Sequence, residues 1–292
     1  NYVDMQKQGL QLTPEELYSI NNSSVKDGVI GLSMLNNPLR FFCSAELVSG
    51  EGLVLTNHHC GMDVIQTHSS LSNNYLEYGF WAMSRSEELP NEELAASFLV
   101  RMDDVTSYIL EALNEEMKKE EKQKTIDSLI KILEEKHSEN GKYMVAVKPF
   151  FSGNEYYMFV YDVYKDVRLV GAPPSSIGKF GGDTDNWMWP RHTGDFSILR
   201  IYTAPDGKPA TYNKENVPLK KEYFFPISLQ GIQEDDFAMV WGYPGSTDRF
   251  KSSYGIKIKI EEENPYTVKI RDKRLAIMKE DMNADKEVKI KY

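Results

Sequence analysis

The segment Thr56-Asn57-His58-His59-Cys60 brings together two histidines and a cysteine, side chains suited to proton transfer and covalent chemistry. Residues 40–48 and 52–56 alternate or run apolar, and they predict two strands joined by a Ser-Gly-Glu-Gly turn. The second strand ends at this segment, so the histidines are expected at a strand end. Cys43 precedes Cys60 by seventeen residues and could close back on it.

This arrangement resembles the catalytic-histidine region of chymotrypsin-like serine proteases. There, a cysteine before a hairpin pairs with the cysteine after the histidine, and the disulfide fixes the base. The resemblance makes His59 the candidate general base and implies a disulfide between Cys43 and Cys60. Such a protease also needs a serine in a Gly-Asn-Ser-Gly or Gly-Asp-Ser-Gly turn, and the 292 residues contain neither. The nucleophile is therefore expected beyond Tyr292.

A protease of this type also needs a carboxylate that orients the histidine and stabilises the imidazolium ion. Asp195 is the best candidate because it immediately precedes the alternating strand predicted at 196–202. Asp183 and Asp185, in a glycine-rich loop, are the alternatives. Much of the long spacing between His59 and Asp195 is taken up by an insertion predicted at 84–141.

Five strings in the chain together resemble the dipeptidyl-peptidase seven and eleven enzymes of Gram-negative bacteria, which are dipeptidyl aminopeptidases of the chymotrypsin clan. The resemblance runs from about residue 11 to the C-terminal end, and it implies a serine exopeptidase that releases dipeptides from the N-termini of oligopeptides. In this family the serine follows a large helical domain, so the chain by itself is expected to be inactive. The strings are TNHHCG, GFWA, NWMWPRHTGDFS, WGYPGST and RDKRLAIMKEDM.

The resemblance also implies the roles of individual residues. His59 matches the catalytic base and Asp195 matches the catalytic aspartate of the family. Asn186 and Trp187 match residues that hold the free α-amino group of the substrate, and an amide oxygen and an indole face are suitable partners for an ammonium ion. No cofactor and no metal are implied. The residue that selects the P1 side chain is expected outside this chain.

The fold implied by the resemblance is mainly β with helical insertions, arranged as a chymotrypsin-like double β-barrel. Residues 1–210 are expected to form the first barrel region, including the helical insertion at about 84–141. Residues 211–260 are expected to begin the second barrel, and 261–292 to form the first helix of an inserted helical domain.

Local sequence patterns predict the elements of this fold. Apolar positions at helical spacing among many Lys and Glu residues predict a solvated helical hairpin at 84–141. Thr13 and Pro14 predict the start of a helix over 11–22, and helical periodicity returns from about Asn264. Further strands are predicted at 28–35, 142–151, 155–164, 166–171, 196–202 and 237–241.

A histidine can also have a structural role or bind a metal ion. His58 is expected to be structural, because the histidine adjacent to Cys60 fits the general base. A metal site at His58 and His59 is disfavoured, since neighbouring residues of a strand point to opposite faces and no third ligand is close in sequence.

Composition restricts the partners and the compartment. The net charge of −10 argues against nucleic acid and anionic membrane as partners. No apolar run approaches the length of about 20 residues that spans a bilayer. Two cysteines placed to pair favour an oxidising compartment, and the resemblance implies the periplasm or cell surface of a Gram-negative bacterium. The expected partners are peptides with a free N-terminus, and a homodimer is left open.

The missing serine keeps a second hypothesis open. The chain could be a protease-like domain without activity that binds peptides or acts as a scaffold. The length of the intact gene product separates the two hypotheses, because the enzyme would need a chain more than twice as long.

Overall fold

The computed structural model describes residues 1–182, 184, 188–245 and 250–291. The chain separates into two compact units. The first unit comprises Asn1–Thr56, Glu88–Val170 and Ile198–Tyr243. The second comprises Asn57–Glu87, Gly171–Ser197 and Pro244–Tyr292.

The first unit is built on a mainly antiparallel β-sheet. The strands of the described chain are β1 (Val29–Met34), β2 (Phe41–Leu47), β3 (Leu53–Thr56), β4 (Phe80–Trp81, in the second unit), β5 (Leu89–Asn91), β6 (Leu94–Asp104), β7 (Met144–Phe150), β8 (Glu155–Tyr164), β9 (Asp166–Ala172), β10 (Ser197–Thr203) and β11 (Val217–Pro218). The strand order in this unit is β9-β10-β3-β2-β1-β6-β8-β7, with β5 beside β9 and β11 beside β10. The predicted strands at 28–35, 40–48, 52–56, 142–151, 155–164, 166–171 and 196–202 are confirmed, with small shifts at their ends.

Alternation along β8 explains why this strand can separate two parts of the core. Tyr156, Met158 and Val160 are buried in a cluster that contains Ile109. Tyr161 and Val163 instead belong to a second cluster that contains Ala95 and packs against Phe41 and Phe159. Successive side chains of a strand point to opposite faces, so β8 contributes apolar surface to both clusters.

Within the predicted insertion at 84–141, α-helical structure begins only at Thr106. Helices α5 (Thr106–Leu110) and α6 (Lys119–His137) are present, and Leu133 of α6 is buried in the cluster around Ile109. Residues 94–104 form strand β6 instead of helix, which corrects the predicted extent of 84–141. The strand lies between β1 and β8 in the sheet, and this pairing overrides the helical preference of its alanines.

Two other predicted elements differ from the structure. The helix predicted over 11–22 is shortened to α2 (Pro14–Leu17), although Thr13 and Glu16 form the expected capping box. It stops where the Asn and Ser residues that follow favour turns over helix. The strand predicted at 237–241 is wrong, because these residues have no strand neighbour in the described chain and the Val240 side chain is fully exposed.

The second unit consists mostly of short helices and turns. The helices of its described residues are α3 (His58–Thr67), α4 (Tyr75–Tyr78), α7 (Ser175–Gly178), α8 (Ser253–Ile258), α9 (Asn264–Ala284) and α10 (Lys286–Lys291), and a short α1 (Tyr2–Lys7) belongs to the first unit. Strand β4 pairs with the last two residues of β9, and Trp81 lies over Gly171.

The helix predicted from about Asn264 is confirmed as α9. A π-helical turn at Lys259–Glu263 precedes it and follows α8, so helical structure begins at Ser253 rather than at 261. No described helix has the length and apolar character needed to cross a membrane.

Candidate active site

His59 lies in the first turn of helix α3, which begins two residues after the end of β3. Asn57 takes the N-cap position, but its side chain makes no capping hydrogen bond. Its amide nitrogen instead donates to Asp195, at 3.2 Å to Oδ2 and 3.3 Å to the backbone oxygen. The N-cap residue is therefore used to hold the carboxylate beside the helix end.

Asp195 contacts His59 through both carboxylate oxygens. Oδ2 lies 2.8 Å from Nδ1 of the imidazole, and Oδ1 accepts a hydrogen bond from the His59 backbone N–H at 3.0 Å. An ionised carboxylate only accepts hydrogen bonds, so Nδ1 carries the hydrogen in this contact. In the neutral ring the lone pair is then on Nε2, the arrangement that a general base requires.

The environment keeps Asp195 ionised at neutral pH. Partial burial raises the pKa of the carboxyl, but the hydrogen bonds from the backbone and ring of His59, with the His59 charge, outweigh burial and hold the pKa below its usual value. A negative charge beside the ring stabilises the imidazolium ion that forms when His59 takes up a proton.

The pair opens onto a cavity of about 420 Å³. The His59 side chain is 67% exposed and that of Asp195 is 25% exposed. Met62, Phe180 and Thr193 also line the cavity. The ring of His59 can therefore be reached by another molecule, while the carboxylate is mostly shielded.

His58 has the opposite environment from its neighbour. Its side chain is fully buried, and Nε2 lies 3.1 Å from the carbonyl oxygen of Pro173. Burial lowers the pKa of His58, although that carbonyl and the charge of Asp195 act in the other direction. The structure therefore buries His58 and leaves the neighbouring His59 exposed.

Cys43 and Cys60 form a disulfide, as predicted. Neither sulfur is then available as a thiolate ligand for a metal ion. The disulfide is attached to the residue that follows His59, and it restrains the backbone of the first turn of α3.

The other predicted site residues lie outside the described residues. These are Asn186 and Trp187, predicted to bind the substrate amine, and the alternative carboxylates Asp183 and Asp185. Of the candidate carboxylates, the structure therefore describes only Asp195, and it brings this residue together with His59.

Sequence reasoning missed residues that support the pair. Gly61 of helix α3 lies close to Ser197, because a Cβ atom on Gly61 would lie 2.5 Å from Oγ of Ser197. A Cβ atom on Gly178 would lie 2.3 Å from Cγ of His58. The signal for Asn57 and Gly61 was their position on either side of the two histidines. Gly178 had no local signal, because its contact is distant in sequence.

A family model described as Peptidase S46 matches residues 1–292. The chain belongs to the peptidase S46 family.

Two curated relatives and a solved structure illustrate the similarity. The chain is 48% identical over 292 residues to Dipeptidyl-peptidase 7 of Capnocytophaga gingivalis, covering 100% of this chain and 40% of that protein. It is 45% identical to the Asp/Glu-specific dipeptidyl-peptidase of Flavobacterium psychrophilum, with the same coverage. It also matches the crystal structure of Porphyromonas endodontalis DPP11 in complex with the dipeptide Arg-Glu. That match has a TM-score of 0.85 and 42% identity, and it covers 99% of this chain and 41% of that one.

The chain thus spans about 40% of the length of the curated relatives that it matches. The name of the Flavobacterium psychrophilum relative states specificity for Asp and Glu, whereas the name of the Capnocytophaga gingivalis relative states no such specificity.

Proposed function

We propose that this chain contributes the general base and its orienting carboxylate to a serine exopeptidase that releases dipeptides from the N-termini of oligopeptides. The observation that carries the proposal is the contact of 2.8 Å between Nδ1 of His59 and Oδ2 of Asp195 in a chain of the S46 family. Relatives in this family are dipeptidyl-peptidases.

In the proposed reaction, Nε2 of His59 takes the proton of a serine hydroxyl as the serine attacks the peptide carbonyl. The same nitrogen then gives the proton to the leaving amine. Asp195 keeps the hydrogen on Nδ1 and stabilises the imidazolium ion. General acid–base catalysis of this kind contributes about 10²- to 10⁴-fold to the rate.

The serine is proposed to come from sequence outside the 292 residues. In the part of the chain that the structure describes, no serine hydroxyl forms a hydrogen bond with the ring of His59. The 292-residue sequence also contains no Gly-Asn-Ser-Gly or Gly-Asp-Ser-Gly turn. The 292-residue chain alone is accordingly expected to be inactive.

Asn186 and Trp187 are proposed to bind the free α-amino group of the substrate. Their support is the sequence resemblance and their place shortly before Asp195. A site that requires a free amine would make the enzyme an exopeptidase.

The double β-barrel and the helical domain after residue 261 are proposed on the same resemblance. The disulfide supports a periplasmic or cell-surface location, where thiols oxidise.

The test uses the complete gene product with fluorogenic dipeptidyl substrates that have either an acidic or a hydrophobic P1 residue. We expect turnover that a serine-directed inhibitor blocks and that His59→Ala abolishes. The 292-residue chain serves as the matched inactive control. A complete gene product without turnover on either substrate would favour the non-catalytic peptide-binding alternative. Turnover by the 292-residue chain that the inhibitor blocks would refute the external serine.

A further inference from the structure

We propose that His58, Gly178 and Thr193 form one support that fixes the position of His59 relative to Asp195. His58 and Thr193 are then positioning residues for the reaction, although neither takes part in proton transfer. The inference rests on the proposed function, because it concerns how the proposed catalytic pair is held.

The first part of the support is the buried ring of His58. The Pro173 carbonyl can only accept a hydrogen bond, so Nε2 of His58 carries the hydrogen in their 3.1 Å contact. Nδ1 then holds a lone pair, and this buried nitrogen has no hydrogen-bond partner among the described residues. An unpaired buried acceptor is unfavourable. Packing alone would therefore favour an apolar side chain here, and the bond to Pro173 gives a reason for a histidine.

The second part is the turn that covers this ring. The N–H groups of Ile177 and Gly178 donate to the Pro174 carbonyl, at 2.8 and 3.0 Å, and close the turn. A Cβ atom on Gly178 would lie 2.3 Å from Cγ and 2.7 Å from Nδ1 of His58, so the glycine backbone lies directly against the ring. Both ends of the 173–178 turn therefore contact the His58 ring, the Pro173 carbonyl at one end and the Gly178 backbone at the other.

The third part joins the same turn to the segment that carries Asp195. The Thr193 hydroxyl lies 3.0 Å from the Gly178 carbonyl oxygen and 3.2 Å from that of Ile177. The Gly194 N–H also donates to the Ile177 carbonyl, at 3.0 Å. The residues directly before Asp195 are therefore fastened to the turn that holds His58.

The support joins two catalytic groups that are 136 residues apart in the chain. One side of the 173–178 turn fixes the residue before His59, and the other side fixes the two residues before Asp195. The distance between Nδ1 and Oδ2 then depends on the turn as well as on the contact itself. A misplacement of about 1 Å in an active site can cost about 10²-fold in rate, so loosening the turn should reduce turnover.

The main test is a matched pair at Thr193 in the complete gene product. Thr193→Val removes the hydroxyl and keeps the shape, whereas Thr193→Ser keeps the hydroxyl. We expect Thr193→Val to lower kcat by about tenfold, with KM within about twofold of the wild type. Thr193→Ser should retain most of kcat. The side chain lies near the surface, so both variants should fold, and thermal unfolding checks this.

A second pair tests His58. His58→Leu removes the donor to Pro173, while His58→Gln offers an amide N–H in its place. We expect His58→Leu to lower kcat by about 10- to 100-fold and His58→Gln to recover part of this loss. If the leucine variant does not fold, the Thr193 pair still decides the question.

Gly178→Ala tests whether the 173–178 turn acts through the His58 ring. Gly245→Ala is its control, because a Cβ atom on Gly245 meets no atom within 4 Å. Gly178→Ala should lower kcat in the wild type but have little further effect in His58→Ala, where the small side chain leaves room for the new methyl group. Gly245→Ala should leave kcat unchanged.

Three results would overturn the inference. The first is a kcat in Thr193→Val that equals that of the wild type, and the second is an equal loss of kcat in Thr193→Val and Thr193→Ser. The third is a loss of kcat on Gly178→Ala that is the same in the wild type and in His58→Ala. Failure of the proposed function looks different, because His59→Ala would then retain activity.

Discussion

Both carboxylate oxygens of Asp195 contact His59, one through the imidazole Nδ1 at 2.8 Å and the other through the backbone N–H at 3.0 Å. The carboxylate therefore fixes the ring and the main chain of the same residue. This double contact orients the histidine more strictly than a single side-chain hydrogen bond would. It also explains why the pKa of Asp195 lies below its usual value despite partial burial.

The first prediction concerns this pair in the complete gene product. His59→Ala and Asp195→Asn should each lower kcat by several orders of magnitude, on the order of 10⁴-fold for the amide, because the base or its tautomer is lost. His68→Ala, at the other end of the same helix, is the control. Circular dichroism should show unchanged folds, and near-wild-type kcat in His59→Ala would contradict the assignment.

The second prediction concerns Asn57, which donates to Asp195 at 3.2 Å. A hydrogen bond to a charged group contributes about 1.5–3 kcal/mol, and because this one is exposed to solvent, Asn57→Ala should lower kcat by about tenfold, at the low end of that range. Asn57→Asp should lower it further, because a second negative charge would face Asp195. Steady-state kinetics of the three proteins provides the test. A kcat in Asn57→Asp that equals that of the wild type would show that the amide is not needed.

The third prediction concerns the pH dependence of stability. Burial lowers the pKa of His58 in the folded protein, against about 6.5 in the unfolded chain. At a pH between the pKa of folded His58 and that of unfolded His58, the unfolded chain binds more protons than the folded protein. The contribution of His58 to stability is therefore present above about pH 6.5 and is lost as the pH falls through the pKa of the folded state. His58→Gln does not titrate, and its unfolding free energy should fall less than that of the wild type between pH 7.5 and pH 5. Urea unfolding at several pH values measures this, and parallel curves would contradict it.

The fourth prediction concerns the disulfide. Cys43→Ser with Cys60→Ser opens a loop of roughly 17 residues, and the chain-entropy model expects a loss of about 3 kcal/mol. The midpoint of urea unfolding should fall accordingly. The wild type in reducing buffer is the control and should resemble the variant. Equal midpoints for the oxidised wild type and the variant would show that the disulfide does not stabilise the fold.

The fifth prediction concerns the proposed amine site. In the complete gene product, Asn186→Ala should lower kcat/KM for a free-amine dipeptidyl substrate by about 10- to 100-fold, since a hydrogen bond to a charged group is lost. The wild type should reject the N-acetylated form of the same substrate, and the variant should discriminate much less. Equal discrimination by both proteins would place amine recognition elsewhere.

The sequence by itself determined those features that depend on local patterns. The run of aromatic and β-branched residues in 155–164 and the alternation in 196–202 were enough to predict β8 and β10. The spacing of Ile126, Leu129, Ile130 and Leu133 was enough to predict the apolar face of α6. The resemblance carried by the TNHHCG and HTGD strings led to the pairing of His59 with Asp195 and to the disulfide.

Tertiary structure decided the features that depend on contacts distant in sequence. Strand β6 was missed because its alanines favour helix and its buried residues Leu94–Phe98 do not alternate, and only its pairing with β1 and β8 makes it a strand. The burial of His58 depends on the 173–178 turn, more than a hundred residues away, whereas the His59 side chain is 67% exposed. Chemical type alone cannot distinguish two adjacent histidines. The fold distinguishes them by shielding one from water and placing a carboxylate beside the other.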